Sequence, residues 1–214
     1  MNKYKVNINI IILFLFSLIF IIIGIYSLLN KSHYICDSII SLLIIIFFYK
    51  KRKLFFLNPF NYTLINIFLL LHNLGSFKAY SLTIGPFSYD TYVHFASGII
   101  FSIVLYNLLL HTTAKNTEKS FNLSLDFNKQ NTKKIKSLSL YYSILILIII
   151  MGFSAIHELI EFGGAIILGK GDGLLYLGAG DLDPWDTQKD LLNNFLGIIT
   201  VLIFYSILNY FKKD

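Results

Sequence analysis

Residues 8–29 read INIIILFLFSLIFIIIGIYSLL, a run with no charged side chain. A helix needs about 20 apolar residues to cross a hydrocarbon core of about 30 Å, so this segment alone is long enough to span a membrane. It follows Lys3 and Lys5 as the apolar part of a signal peptide would, but it has no small-x-small cleavage pattern, and it is read as an uncleaved anchor. Comparable runs recur at 34–49, 60–76, 89–110, 138–168 and 186–211, separated by short polar joints. The expected architecture is therefore all-α, a polytopic transmembrane helical bundle of about six spans in a single domain, 1–214. Five spans is the alternative count, because the second and third runs are short.

Composition agrees with this reading. Apolar residues make up 56% of the chain and charged residues 14%, against roughly 25% charged in soluble proteins, which excludes a soluble monomer. One cysteine, Cys36, excludes a disulfide framework and a thiolate zinc site. The formal charge of +6 does not indicate nucleic acid, since the basic residues sit where apolar runs end and no soluble domain is available to form a groove. Membrane lipid is the expected partner. No internal repeat suggests an inverted-repeat transporter.

Lys and Arg bias loops toward the cytoplasm. With the N-terminus inside, all but Lys31, Lys78, Lys170 and Lys189 of the 18 basic residues fall on inner segments, which predicts an N-in, C-in arrangement in a prokaryotic inner membrane or archaeal plasma membrane. Residues 111–137 then form the one long cytoplasmic loop, polar and Lys-rich, lying on anionic lipid with no catalytic role. Acidic residues divide the other way. All but Glu118, Asp126 and Asp214 of the 12 lie at or near the outer boundary, together with His33, His72, His94 and His157.

Three spans carry ligand-type side chains one helical turn apart, and at about 100° per residue such pairs share a face. In the fourth, Asp90 and His94 are i and i+4, followed by Ser97 and Gly98. In the fifth, His157 and Glu161 are i and i+4 with Glu158 in the same arc, flanked by Ser154 and Gly164. In the sixth, Asp186, Asp190 and Asn194 stack at i+4 steps, with Asn193 beside them and Gly197 beneath. If the three stripes face one another, they form a cup open to the extracytoplasmic side, with Ser97, Gly98, Gly164 and Gly197 lining close helix contacts.

Each piece also has a structural explanation. Asp90 and Asp186 stand where helices begin and are suited to N-capping. Trp185 is expected to be an interfacial anchor, His33 and His72 interfacial or core-satisfied residues, and Asp37 the mark of a helix end. His157-Glu158-x-x-Glu161 lacks the second His of a zinc protease helix, and residues 181–186 do not make an EF-hand. Taken together, however, ionisable groups within spans cost at least about 2.5 to 3.5 kcal/mol each, and neighbouring carboxylates cannot all stay ionised without a proton or a cation. Either protons are shared or a divalent metal ion neutralises the cluster. Seven glycines, Gly163, Gly164, Gly169, Gly171, Gly173, Gly178 and Gly180, suggest a shaped loop between the last two spans.

The segments 89–98 (YDTYVHFASG), 154–161 (SAIHELIE) and 183–190 (DPWDTQKD) resemble motifs of the YjdF-like family of predicted inner-membrane proteins and, more distantly, of VanZ-like membrane proteins. The resemblance covers the C-terminal two thirds and implies a shared site without implying a reaction.

The expected function is that of a metal-dependent enzyme hydrolysing or transferring a group on a lipid or lipid-linked substrate at the outer leaflet. Asp90, His94, Glu161, Asp186 and Asp190 are the expected metal ligands, Glu158 the general base and His157 a second catalytic residue. A cation or proton transporter using the same carboxylates and a non-catalytic scaffold are the alternatives. Apolar inner halves of the fifth and sixth spans speak for the enzyme.

Overall fold

A computed structural model describes residues 7–121, 131–168 and 185–211. The elements are α1 (Ile8–Leu29), α2 (Tyr34–Lys51), α3 (Pro59–Asn73), two 3-10 turns (Leu74–Phe77 and Ala79–Ser81), a short hairpin of β1 (Thr83–Ile84) and β2 (Phe87–Ser88), then α4 (Tyr89–Phe121), α5 (Asn131–Leu168) and α6 (Asp186–Phe211). The hairpin is antiparallel, with Thr83 opposite Ser88 and Ile84 opposite Phe87. Everything else of regular structure among the described residues is helical.

Local chemistry sets the helix starts. The Asn7 side chain accepts from the Asn9 N–H at 3.1 Å, and Asn58 accepts from the Asn61 N–H at 2.8 Å with Pro59 in the first helical position. Helix α4 is entered from Ser88, whose Oγ accepts from the Thr91 N–H at 3.3 Å. Ser88 thus takes the capping role for which Asp90 was suited, and the Asp90 carboxylate is left to other partners.

Four helical stretches, Ile8–Leu29, Tyr89–Thr112, Leu140–Gly163 and Asp186–Leu208, are long and apolar enough to cross a membrane. Helix α3, at 15 residues, rises only about 22 Å and is shorter than the core. The expected cytoplasmic loop is smaller than 111–137. Helix α4 continues to Phe121 and α5 begins at Asn131, because the residues past the apolar run, among them Ala114, Lys115, Glu118 and Lys119, favour helix and extend it.

The chain packs as two groups of helices. In α1–α3 the buried core is Phe16, Phe20, Ile23, Ile45, Leu57, Tyr62, Ile65 and Leu69. Polar groups are threaded through it: Asn73 Nδ2 donates to Ser41 Oγ at 2.8 Å, Ser38 Oγ donates to Asn73 Oδ1 at 3.0 Å, and Ser27 Oγ donates to Ser76 Oγ at 3.0 Å. Such bonds join helices where apolar packing alone has little preference. In α4–α6 the core is Tyr106, Ile146, Ile150 and Ile198. Asn107 Nδ2 donates to Asn61 Oδ1 at 2.9 Å, tying α4 to α3. Large apolar side chains such as Phe14, Leu29, Phe153 and Leu159 point outward, as expected of helices surrounded by lipid.

Helices α4 and α6 meet backbone to backbone. A Cβ placed on Gly98 would strike the Asn194 carbonyl oxygen and lie 3.1 Å from Gly197 Cα, while one on Gly197 would strike the Phe95 carbonyl and lie 3.0 Å from the Ile99 nitrogen. Neither position admits a side chain unless the helices separate. Gly98→Leu is therefore expected to lower the thermal midpoint of the detergent-solubilised protein, by about 1 to 3 kcal/mol of stability or more. Gly152→Ala, at a site with nothing within 4 Å, should leave the midpoint unchanged or slightly raised.

Candidate functional site

The glycine crossing fixes what lies one turn above it. Asn194 on α6 stands beside Ser97 on α4 and Ser154 on α5, and its side chain touches all three helices. Its Nδ2 lies 2.6 Å from Ser154 Oγ and 3.0 Å from His94 Nδ1, and its Oδ1 contacts Ser97 Oγ. Ser97 Oγ also donates to the His94 carbonyl at 2.8 Å. The amide thus holds the His94 ring by its Nδ1 edge and turns Nε2 the other way.

Nε2 faces carboxylates. It lies 3.5 Å from Asp90 Oδ1 and 3.6 Å from Asp190 Oδ2. Asp90, His94 and Asp190 offer one ligand atom each within 4.8 Å of one another. The Asp190 side chain is 4% exposed and that of Asp90 26%, so the group opens on the Asp90 side.

On α5 a second group satisfies the same condition: His157, Glu158 and Glu161. His157 Nδ1 is 2.9 Å from Glu161 Oε1. Glu158 is 4% exposed, and its Oε1 has no hydrogen-bond partner. The flanking Leu159 and Ile160 are exposed on the opposite side of α5, whereas both glutamate side chains are largely buried. The two groups are neighbours, since the rings of His94 and His157 meet edge to face with centroids 6.3 Å apart.

The expected ligands therefore sort into two sets. Asp90, His94 and Asp190 come together across α4 and α6, while Glu161 stands beside His157 and Glu158 on its own helix. Asp186 heads α6, one turn outside Asp190, and is partly buried. Gly98 and Gly197 line the close helix contact. The surroundings of Gly164 and the segment 169–184, with Gly169, Gly171, Gly173, Gly178, Gly180, Lys170, Asp172, Asp181 and Asp183, lie outside the described residues.

In the sequence Asn194 is one member of a stack with Asp186 and Asp190. Its i+4 spacing from Asp190 was the available signal, and its role as the link between three helices emerges only in three dimensions. The α2–α3 pair holds a further arrangement that no local spacing reveals. Asp37 of α2 is fully buried and lies 3.8 Å from His72 Nε2, and His72 Nδ1 is 2.9 Å from the Tyr80 hydroxyl. Asp37 stands in the first turn of α2, but its side chain is turned into the protein.

Residues 8–210 match the family described as Predicted membrane protein (DUF2238). The chain belongs to that family. The match runs through α1–α3 as well as the three motif-bearing helices. With several helices apolar enough to cross, it is a multi-pass membrane protein. No curated protein and no solved structure matches it.

The amide link generates a direct test. Asn194→Leu keeps the bulk and removes the polar contacts to His94, Ser97 and Ser154, which should destabilise the protein by about 1 to 3 kcal/mol. Thermal unfolding should show a larger loss for this variant than for Ser97→Ala or Ser154→Ala.

Proposed function

We propose that this protein is a metal-dependent enzyme of the outer membrane face, hydrolysing or transferring a group on a lipid or lipid-linked substrate. The observation that carries the proposal is the pairing of two His-carboxylate groups above a closed floor, where the backbones of α4 and α6 touch at Gly98 and Gly197 and Ile146, Ile150 and Ile198 pack beneath. A cup closed at its base suits chemistry at one face better than passage across the membrane. N- and C-termini inside, with six crossings, accounts for the distribution of Lys and Arg.

Asp90, His94 and Asp190 are the residues that would hold a divalent ion, with Asp186 one turn outside them. The donor set, two carboxylates and an imidazole, suits a hard or borderline ion. Proton counting at Asn194 supports the fit. Ser97 has one hydroxyl hydrogen and faces two oxygens, the His94 carbonyl and Asn194 Oδ1. Turning the amide over, which exchanges N and O at the same contacts, lets Ser97 donate to the carbonyl and accept from the amide. The amide oxygen then accepts from Ser154 and from His94 Nδ1–H. In that arrangement the neutral His94 ring has its Nε2 lone pair facing Asp90 and Asp190, as a ligand must.

A bound divalent ion would polarise a phosphoryl or ester oxygen and acidify water. The chain's own residues supply the rest. Glu158, buried with one oxygen unpartnered, is placed to take a proton as general base, and Glu161 holds the His157 ring beside it. The N-terminal ends of α4 and α6 direct their positive ends toward an anionic headgroup. The likeness of the three motifs to YjdF-like and VanZ-like proteins is compatible with this site and brings no reaction with it.

Metal analysis of the purified protein is expected to find a divalent ion that a chelator removes with a fall in thermal midpoint. Asp190→Asn should lose the ion. Glu158→Gln should keep it while headgroup release from phospholipid vesicles falls at least about 100-fold. Absence of bound ion, or unchanged turnover in Glu158→Gln, would contradict the proposal.

A further inference from the structure

Residues 79–89 read AYSLTIGPFSY and carry no charged side chain. They lead from α3 to α4 and contain the β1–β2 hairpin, in which Ile84 stands opposite Phe87 and Thr83 opposite Ser88. Partners across a ribbon leave from the same face, and neighbours along a strand leave from opposite faces. Ile84 and Phe87 therefore share one face, with Leu82 in line two residues before Ile84, and Thr83 and Ser88 share the other. The ribbon is amphipathic.

Its apolar face has no protein cover. Leu82, Ile84 and Phe87 are 54%, 55% and 51% exposed, and nothing lies within 4 Å of the place a Cβ on Gly85, at the tip, would take. Large apolar side chains bared together mark a surface that something apolar covers. The hairpin is nevertheless held firmly. The Tyr89 N–H donates to the Leu82 carbonyl at 2.9 Å, and the Tyr92 hydroxyl donates to the Ile84 carbonyl at 2.9 Å. The Phe87 ring packs edge to face on Tyr92, with centroids 6.1 Å apart. Both bonds come from the first turn of α4, so the tip is carried by that helix.

The position of α4 says what covers the tip. Its apolar stretch Tyr89–Thr112 has 24 residues and rises about 36 Å, against a hydrocarbon core of about 30 Å. The ends of the stretch reach the headgroup layers, and the hairpin, joined to one of those ends, lies at the boundary. Non-helical backbone cannot be bared to hydrocarbon. An amphipathic element instead lies in the interface plane with its apolar face about 5–10 Å into the acyl boundary. An uncharged ribbon with Ile84 and Phe87 on one face and Thr83 and Ser88 on the other meets that condition.

We propose that the β1–β2 hairpin is an interfacial anchor, with Leu82, Ile84 and Phe87 inserted among the acyl chains of the leaflet at the open end of the cup and Thr83 turned toward the headgroups. Tyr92 lies about 160 to 200° around α4 from Asp90 and His94. The anchor thus sits on the back of the turn that carries them and fixes that turn at headgroup depth. Insertion does not depend on the cup being a metal centre; only the use of that depth, presenting Asp90 and His94 to a lipid headgroup, rests on that reading.

The test uses the full chain in phosphatidylcholine vesicles, with Cys36 replaced by Ser and a nitroxide attached at Ile84→Cys or at Thr83→Cys. Both positions are exposed, so neither exchange removes a buried contact. Collisions of the label with oxygen, which concentrates among acyl chains, are compared with collisions with a water-soluble nickel chelate. Nickel accessibility is expected to be at least about threefold lower at position 84 than at 83, with oxygen accessibility higher, as an inserted face requires. The same contrast is expected in Asp190→Asn, which separates failure of the anchor from failure of the metal centre. Equal nickel accessibility at the two positions would overturn the proposal. So would broadening between labels at position 84 that disappears on dilution with unlabelled protein, since it would mark the tip as a contact between two copies of the chain.

Discussion

The contact between the α4 and α6 backbones at Gly98 and Gly197 governs the rest of the C-terminal half. Two helices that touch at this level have no freedom to slide or rotate without a clash, because the close atoms are carbonyl oxygens and backbone nitrogens rather than flexible side chains. From that fixed point the helical repeat does the placing. Asn194 is three residues before Gly197, Ser97 is next to Gly98, and one turn further out His94 and Asp190 must face each other. The facing of His94 and Asp190 is thus a consequence of two residues without side chains.

The same contact explains why the polar cluster is tolerated. An ionisable group inside a membrane protein is expensive, and its usual place is the interior of a bundle or a water-filled cavity. Here Asp90, Asp190, Glu158 and Glu161 are gathered on the inward faces of three helices, while Leu159 and Ile160 take the outer surface. Their close approach needs something to offset mutual repulsion, and two imidazoles do not suffice for four carboxylates. The α1–α3 group solves a related problem differently, with one carboxylate, one imidazole and a phenol set among amide–hydroxyl pairs such as Asn73 with Ser38 and Ser41. Neutral amides and hydroxyls can join helices in lipid without the expense of a charge.

Much of this was legible in the amino-acid order, for identifiable reasons. Apolar run length located α1 and α6 at the bounds observed, because a membrane imposes a minimum length that chance rarely supplies. Spacing of four placed Asp90 with His94 and Asp190 with Asn194 on shared faces, since the helix repeat is local. The facing of one stripe by another was not local. His157 and Glu161 lie against each other at 2.9 Å, because neighbours one turn apart on a helix are already within reach, and only the fold brings the His157 ring to that of His94. Asp37, His72 and Tyr80 come from three separate segments, so no pattern joins them. The ends of α4 and α5 ran past the apolar stretches into the expected loop, since helix propensity does not stop at the membrane boundary.

The central claim is that α4 and α6 cross in contact with Ser97 against Asn194, and cysteine cross-linking in native membranes tests it most directly. The one native thiol, Cys36, is exposed and is first replaced by Ser; Ser97→Cys and Asn194→Cys are then combined and oxidised. The account predicts a disulfide within one chain, reversed by reductant and absent from either single variant. Thiols that stay free after oxidation, or that link two chains instead of one, would contradict the crossing and the cup built on it.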